Sequence, residues 1–139
     1  MDITEEPFEE AQRAIRRRVS EIVAAVDGSD LERLAKFHLD SPKFTKFNDL
    51  PPLERQDFVV AMESEAAEFS ALDSIQSQFR DLRIDVFGPV SVVTGIYAYR
   101  AVAGGEALTG EIRATLVMVD DDGDWKIAHE HLSPLSHPA

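Results

Sequence analysis

The stretch that decides the fold runs Gly110-Glu111-Ile112-Arg113-Ala114-Thr115-Leu116-Val117-Met118-Val119, through the acidic turn Asp120-Asp121-Asp122-Gly123-Asp124, to Trp125-Lys126-Ile127-Ala128-His129-Glu130-His131-Leu132-Ser133. Two β-rich runs separated by an Asp/Gly turn predict a hairpin. Upstream of it the period of two continues. Leu82, Ile84 and Val86 alternate with Arg83 and Asp85, Gly88-Pro89 turns the chain, and Val90 to Ala103 is rich in Val, Tyr and Ile before Gly104-Gly105 turns it again. Before about Ile75 the period is helical. Phe8, Ala11, Ile15, Val19, Ile22 and Val26 predict one long amphipathic helix that Asp27-Gly28 ends. Ser29-Asp30-Leu31-Glu32 reads as a capping box for a shorter helix, with Leu31, Leu34, Ala35 and His38 on one face and Pro42 as its stop. Phe44-Thr45-Lys46-Phe47 reads as a short strand, and Asn48-Asp49-Leu50-Pro51-Pro52 as a loop that also starts a third helix, whose inward stripe is Phe58, Met62, Ala66 and Phe69. Three helices followed by a twisted antiparallel sheet make one α+β domain over residues 1–139, with the helices segregated onto one sheet face.

Composition narrows the function classes. A net charge of −12 and a pI near 4.6 repel phosphate backbones and anionic lipid, so neither a nucleic-acid partner nor a membrane surface is expected. No apolar run approaches a membrane span and the first residues lack the basic start of a secretory signal, so a cytoplasmic location is expected. With no cysteine there is no disulfide, thiolate ligand or thiol nucleophile. The basic run Arg16-Arg17-Arg18 reads as a solvated helix face, because Glu9/Arg13 and Arg17/Glu21 stand at i,i+4 spacing.

The ending W-K-I-x-H-x-H-x-S resembles the closing hairpin of the nuclear transport factor 2-like superfamily, in its SnoaL-like branch. The resemblance covers nearly the whole chain and is strongest from Gly88 to Ser133. It implies a cone, three N-terminal helices packed on a curved, mostly antiparallel sheet that encloses a pocket. The superfamily holds ketosteroid isomerases, polyketide cyclases, dehydratases and the association domain of calcium/calmodulin-dependent kinase. Aligned on the Gly123 turn, it implies that Ala128, Glu130 and Leu132 face the cavity, beside Arg113, Thr115 and Val117 on the neighbouring strand and Thr94, Ile96, Ala98 and Arg100 on the next. Tyr97, Tyr99, Trp125, Ile127, His129 and His131 then fall on the convex face. The isomerases' oxyanion tyrosine falls at Ile22, their base aspartate at about Lys46 and their second oxyanion acid at Thr115, so steroid isomerase activity is not expected.

Arg113 has two readings. It offers a five-donor fork to a small anion, or it pairs internally with Glu130 and binds nothing. Glu130, in an apolar cone, is the natural general base, with a raised pKa. His38 is either a hydrogen-bonded structural residue or a cavity acid/base. His129 and His131 lack an obvious third ligand, so interface or core histidines are expected rather than zinc, and the Asp120–Asp124 turn reads as a solvated tip rather than a calcium loop. The expected protein is a cofactor-free, metal-free cone that binds a small, partly apolar molecule, neutral or anionic, among Ile96, Ala98, Arg100, Arg113, Thr115, Val117, Ala128 and Leu132. Isomerase, cyclase or dehydratase chemistry stands beside a non-catalytic binding or assembly module. A homodimer through Tyr97, Tyr99, Trp125 and Ile127 is expected, since that face is too aromatic to stay wet.

Overall fold

The structure, a computed structural model, describes residues 2–135, so His137, expected to be a solvated tail residue, lies outside the described residues. Helix α1 spans Glu9–Asp27, α2 Leu31–Lys36 and α3 Phe58–Ser70, while strands run β1 Thr45–Phe47, β2 Ser74–Phe87, β3 Val90–Ala103, β4 Glu106–Asp121 and β5 Asp124–Pro134. The sheet order is β1-β5-β4-β3-β2, antiparallel throughout except that β1 runs parallel to β5. Among the described residues no helix is long and apolar enough to cross a membrane.

Each element follows from a local cause. Asp122 and Gly123 both take positive φ (56° and 88°), as do Gly104 and Gly105 (57° and 80°), the signature of tight two-residue hairpin turns whose twist matches the strands. Helix α1 buries Ile15, Val19, Ile22 and Val26 against the sheet, as its periodicity requires. The helix caps differ from expectation. Asp30, not Ser29, caps α2 by accepting from Arg33 N (3.2 Å), and α2 ends at Lys36, well before Pro42. Asp57 caps α3 by accepting from Val60 N (2.9 Å), so the Pro51-Pro52 segment stays a loop instead of a first turn. Of the basic run, Arg18 is not solvated. Its guanidinium donates to Asp124 Oδ1 (2.7 Å) and the Trp125 carbonyl (2.8 Å) and lies 4.6 Å over the Phe37 ring, fastening α1 to the last hairpin.

Two irregularities decide which side chains face inward. Arg80 pairs with Ile96 and Arg83 with Thr94, so Asp81 and Leu82 together oppose Gly95. On β5, His129 pairs with Val117 but Ile127 with Met118, leaving Ala128 as an unpaired bulge. The bulge resets the alternation. Trp125 and Ile127 point into the core before it, and Glu130 and Leu132 point inward after it. Strict period-two reading of β5 therefore placed Trp125 and Ile127 outside wrongly, and a dimer face built on them is corrected: they are 6% and 1% exposed within a single subunit.

Register corrects the rest. Residues directly opposite on paired strands share a face, and Glu130 opposes Leu116 while Leu132 opposes Ala114. The inward row of β4 is thus Ile112, Ala114, Leu116 and Met118, and that of β3 is Tyr97, Tyr99 and Ala101. Arg113, Thr115 and Val117 face outward, and so do Thr94, Ile96, Ala98 and Arg100, which pair with that outward row. The register between β4 and β5 is one residue off the expected one, which turns every side chain over on β4 and, through its pairing, on β3.

Candidate functional site

Four buried ionisable side chains meet at one wall of an apolar cavity. The cavity measures about 240 Å³ and lies between the inner sheet face and the three helices, with Ile22, Leu72, Phe79, Tyr97, Ile112 and Leu132 among its walls. The four are His38, Lys46, Glu65 and Glu130, each at most 8% exposed.

Backbone pairing puts each of them there. After α2 the chain zips onto β5, with Ile127 N donating to the Phe37 carbonyl (2.9 Å) and Leu39 N to the Ile127 carbonyl (2.8 Å), which turns His38 inward. Lys46 sits directly beside Glu130 in the parallel β1·β5 register, and it is clasped from the other side by mutual backbone bonds with Gln56 (3.0 and 2.8 Å). Glu65 comes from α3, one turn beyond the buried Ala61. Phe58, Ala61, Glu65 and Phe69 fall three or four residues apart, so Glu65 is a lone charge on an otherwise apolar stripe.

The distances separate two functions. Lys46 Nζ lies 2.9 Å from Glu130 Oε2 and 3.9 Å from Glu65 Oε2, a tight ion pair with a second carboxylate at its edge. His38 Nδ1 lies 2.9 Å from the Leu34 carbonyl, which fixes Nδ1–H as the donor and turns Nε2 to the carboxylates. Nε2 stands 3.4 Å from Glu65 Oε2 and 3.7 Å from Glu130 Oε1, inside ion-pair reach but with no closed hydrogen bond.

Electrostatics push the two carboxyls apart. Burial raises both, yet for Glu130 the Lys46 ammonium and His38 overcome it and hold the carboxyl far below the ordinary carboxylate range. This reverses the raised pKa expected of Glu130. For Glu65 burial wins over His38 and Lys46, and the carboxyl is raised. His38 is raised as well, because Glu65 and Glu130 outweigh the burial that opposes its charge, and Lys46 is raised against burial by the same two carboxylates. Glu130 and Lys46 form a fixed ion pair; Glu65, raised, and His38, beside it, form the couple able to trade a proton.

A pH profile follows, with the sign set by His38. A raised folded pKa means its contribution is whole below its ordinary value of about 6.5 and is lost as pH rises through the folded value. Glu65, also raised, adds loss in the same direction as it ionises. Glu130 acts oppositely, stabilising above the ordinary carboxylate range and losing that contribution in acid. The unfolding free energy from urea denaturation should therefore fall as pH rises above the ordinary histidine value of about 6.5, by up to about 1.4 kcal/mol per pH unit for each proton released, and His38→Gln should flatten that decline.

A family model described as the SnoaL-like domain matches residues 15–137. The chain is a member of the SnoaL-like family. No curated protein matches it significantly. Among solved structures, the chain is similar to a candidate dehydratase of the NTF2-like family from Streptomyces avermitilis (16% identity, TM-score 0.84, covering 95% of this chain and 100% of that one). It is similar too to a candidate scytalone dehydratase from Novosphingobium aromaticivorans (15%, 0.75, 93% and 95%) and to a candidate calcium/calmodulin-dependent protein kinase II association domain from Xanthomonas campestris (15%, 0.77, 91% and 89%). At such identities these likenesses show the fold.

In this SnoaL-like cone His38, Glu130 and Leu132 line the cavity, whereas Arg113 and Arg100 are exposed on the outer face with Thr115, Ile96, Ala98 and Val117, and Ala128 sits in the bulge. No Arg113–Glu130 pair forms, because the two project from opposite faces. Lys46 takes the role of Glu130's partner. Tyr97 and Tyr99, expected outside, line the cavity, and Ile22 and Lys46 line it as the family alignment implied, while Thr115 does not. His129 and His131 lie on the outer face beside Phe47, with His129 Nδ1 2.8 Å from Thr45 Oγ1. Among the described residues no three His, Asp or Glu side chains are placed so as to hold a metal ion. Lys46 and Glu65 were missed as site residues; the lone charge on the α3 stripe was the signal for Glu65.

Proposed function

We propose that this SnoaL-like protein binds a small, largely apolar carbonyl compound in its cone and catalyses a cofactor-free elimination or isomerisation through His38 and Glu65. The observation that carries the reading is the buried His38–Glu65 couple, 3.4 Å apart and opening into the apolar cavity. For a β-hydroxy ketone, ionised Glu65 takes the proton on the carbon next to the carbonyl. His38 Nε2–H gives its proton to the β-hydroxyl, which leaves as water while the carbon–carbon double bond forms. Glu65 is then protonated and His38 neutral, and the short path between them lets the proton return. Lys46 and Glu130 keep a constant charge beside the couple, and Glu130 helps to hold His38 protonated. The test is an aryl β-hydroxy ketone followed by the absorbance of its conjugated enone, with wild type, H38Q and E65Q compared.

The second reading is a non-catalytic binding or assembly module. It is favoured by the near-balance of charge in the quartet, two carboxylates against Lys46 and protonated His38, and by the association-domain relative. In either reading a homodimer forms through the outer sheet face, where Val117 pairs with His129 and Ile96 and Ala98 lie farther along on β3. Sedimentation equilibrium should give a dimer at micromolar concentration, and a monomer there would remove this part of the proposal.

A further inference from the structure

We infer that the cone selects a neutral ligand carrying a hydrogen-bond acceptor, which the Tyr97 hydroxyl engages as donor, and that it rejects carboxylates. The inference names the ligand class for the function proposed above and rests on reading the cone as a binding cavity.

Charge inside the cone argues against an anion. Arg100 and Arg113, the forks that would greet a carboxylate, are exposed on the outer face. The cations that do line the cavity, Lys46 and His38, already face Glu130 and Glu65. Asp49 and Glu68 line it too, giving four carboxyl groups against two cationic side chains. An entering carboxylate meets like charge and finds no unengaged cation.

Tyr97 supplies the free donor. Its hydroxyl is buried and has no hydrogen-bond partner among the described residues. Buried hydroxyls are nearly always bonded, so an orphan hydroxyl on a residue of the cavity wall is a donor that a ligand oxygen would satisfy on binding. Ser77 stands close enough to pull its pKa down, against burial, but Ser77 donates its own proton to Asp27 Oδ1 (2.6 Å) and closes no bond with Tyr97. Burial dominates and drives the phenol pKa well above its ordinary value, so Tyr97 keeps its proton.

The donor is mounted on a stiff wall. The Tyr97 ring packs 5.3 Å from Phe79 and 6.3 Å from Tyr99. Tyr99 in turn lies so close over Gly110 that a Cβ there would come within 2.5 Å of its ring. Aromatic walls with one fixed donor orient a flat apolar molecule by its single acceptor.

The experiment titrates acetylnaphthalene, naphthoate and naphthylmethylammonium, three probes of similar size and different charge, into the wild type and Y97F by protein-observed NMR. The ketone should bind at least about tenfold more tightly than naphthoate, and Y97F should weaken the ketone by about tenfold, the weight of one hydrogen bond. Unsubstituted naphthalene should bind both proteins equally, which shows that the variant is folded. Equal ketone affinity in Y97F overturns the inference, as does naphthoate or the ammonium binding more tightly than the ketone. The wild-type ranking tests the inference whatever the variant does. If no probe binds, the cone is not a ligand cavity, and both this inference and the proposed function fall. Ketone selectivity without any turnover would leave the inference standing and remove the catalytic reading alone.

Discussion

Replacing Lys46 with methionine should destabilise the protein by about 3–5 kcal/mol, the usual cost of leaving a buried charge without its partner. The Lys46 side chain is almost wholly buried, and its ammonium lies 2.9 Å from the carboxylate of the likewise buried Glu130. In K46M the remaining cation near Glu130 is His38, whose Nε2 is 3.7 Å away and shared with Glu65. Glu130 can then relieve its burial by taking up a proton, so the loss should shrink as pH falls through the acidic range. The double variant K46M/E130M removes both charges at similar volume and should recover most of the stability. Urea denaturation of the single and double variants measures this. A K46M penalty below about 1 kcal/mol would mean that water already reaches the pair.

His38→Gln should lower kcat for an aryl β-hydroxy ketone by about 10²–10⁴-fold, the range general acid–base groups contribute. Glu65→Gln should fall comparably, and the double variant little further, because the two act as one unit. The pH–rate profile separates the roles. Activity rises as Glu65 ionises, above the ordinary carboxylate range, and falls as His38 loses its proton, above its ordinary value. E65Q should erase the acid limb and H38Q the alkaline one. Wild-type turnover that neither variant reduces would remove the couple from the mechanism.

The architecture was legible because periodicity and turn chemistry are local. Ile15, Val19 and Ile22 announce α1, and Gly104-Gly105 and Asp122-Gly123 announce hairpins without help from the rest of the chain. The faces of the strands were not legible, because they depend on how two strands register, and an unpaired Ala128 looks in sequence like any other strand residue. That one residue moved Arg113, Tyr97 and Trp125 to faces opposite those expected. His38 and Glu130 were found through chemistry and resemblance. Glu65 and Lys46 were passed over because a charged residue on a helix or short strand is ordinarily solvated, and only tertiary packing reveals the partners that let these two be buried.

The bulge at Ala128 also acts as a selector of what the cone contains. With Trp125 and Ile127 committed to the core, an unbroken alternation along β5 would carry His129 and His131 inside and expel Glu130 to the surface. The inserted residue swaps a pair of imidazoles for a single carboxylate without altering either. Among cones of this shape, gaining or losing one residue at this point of the last strand would exchange an interior built on histidines for one built on an acid, a larger chemical step than a point substitution there could make.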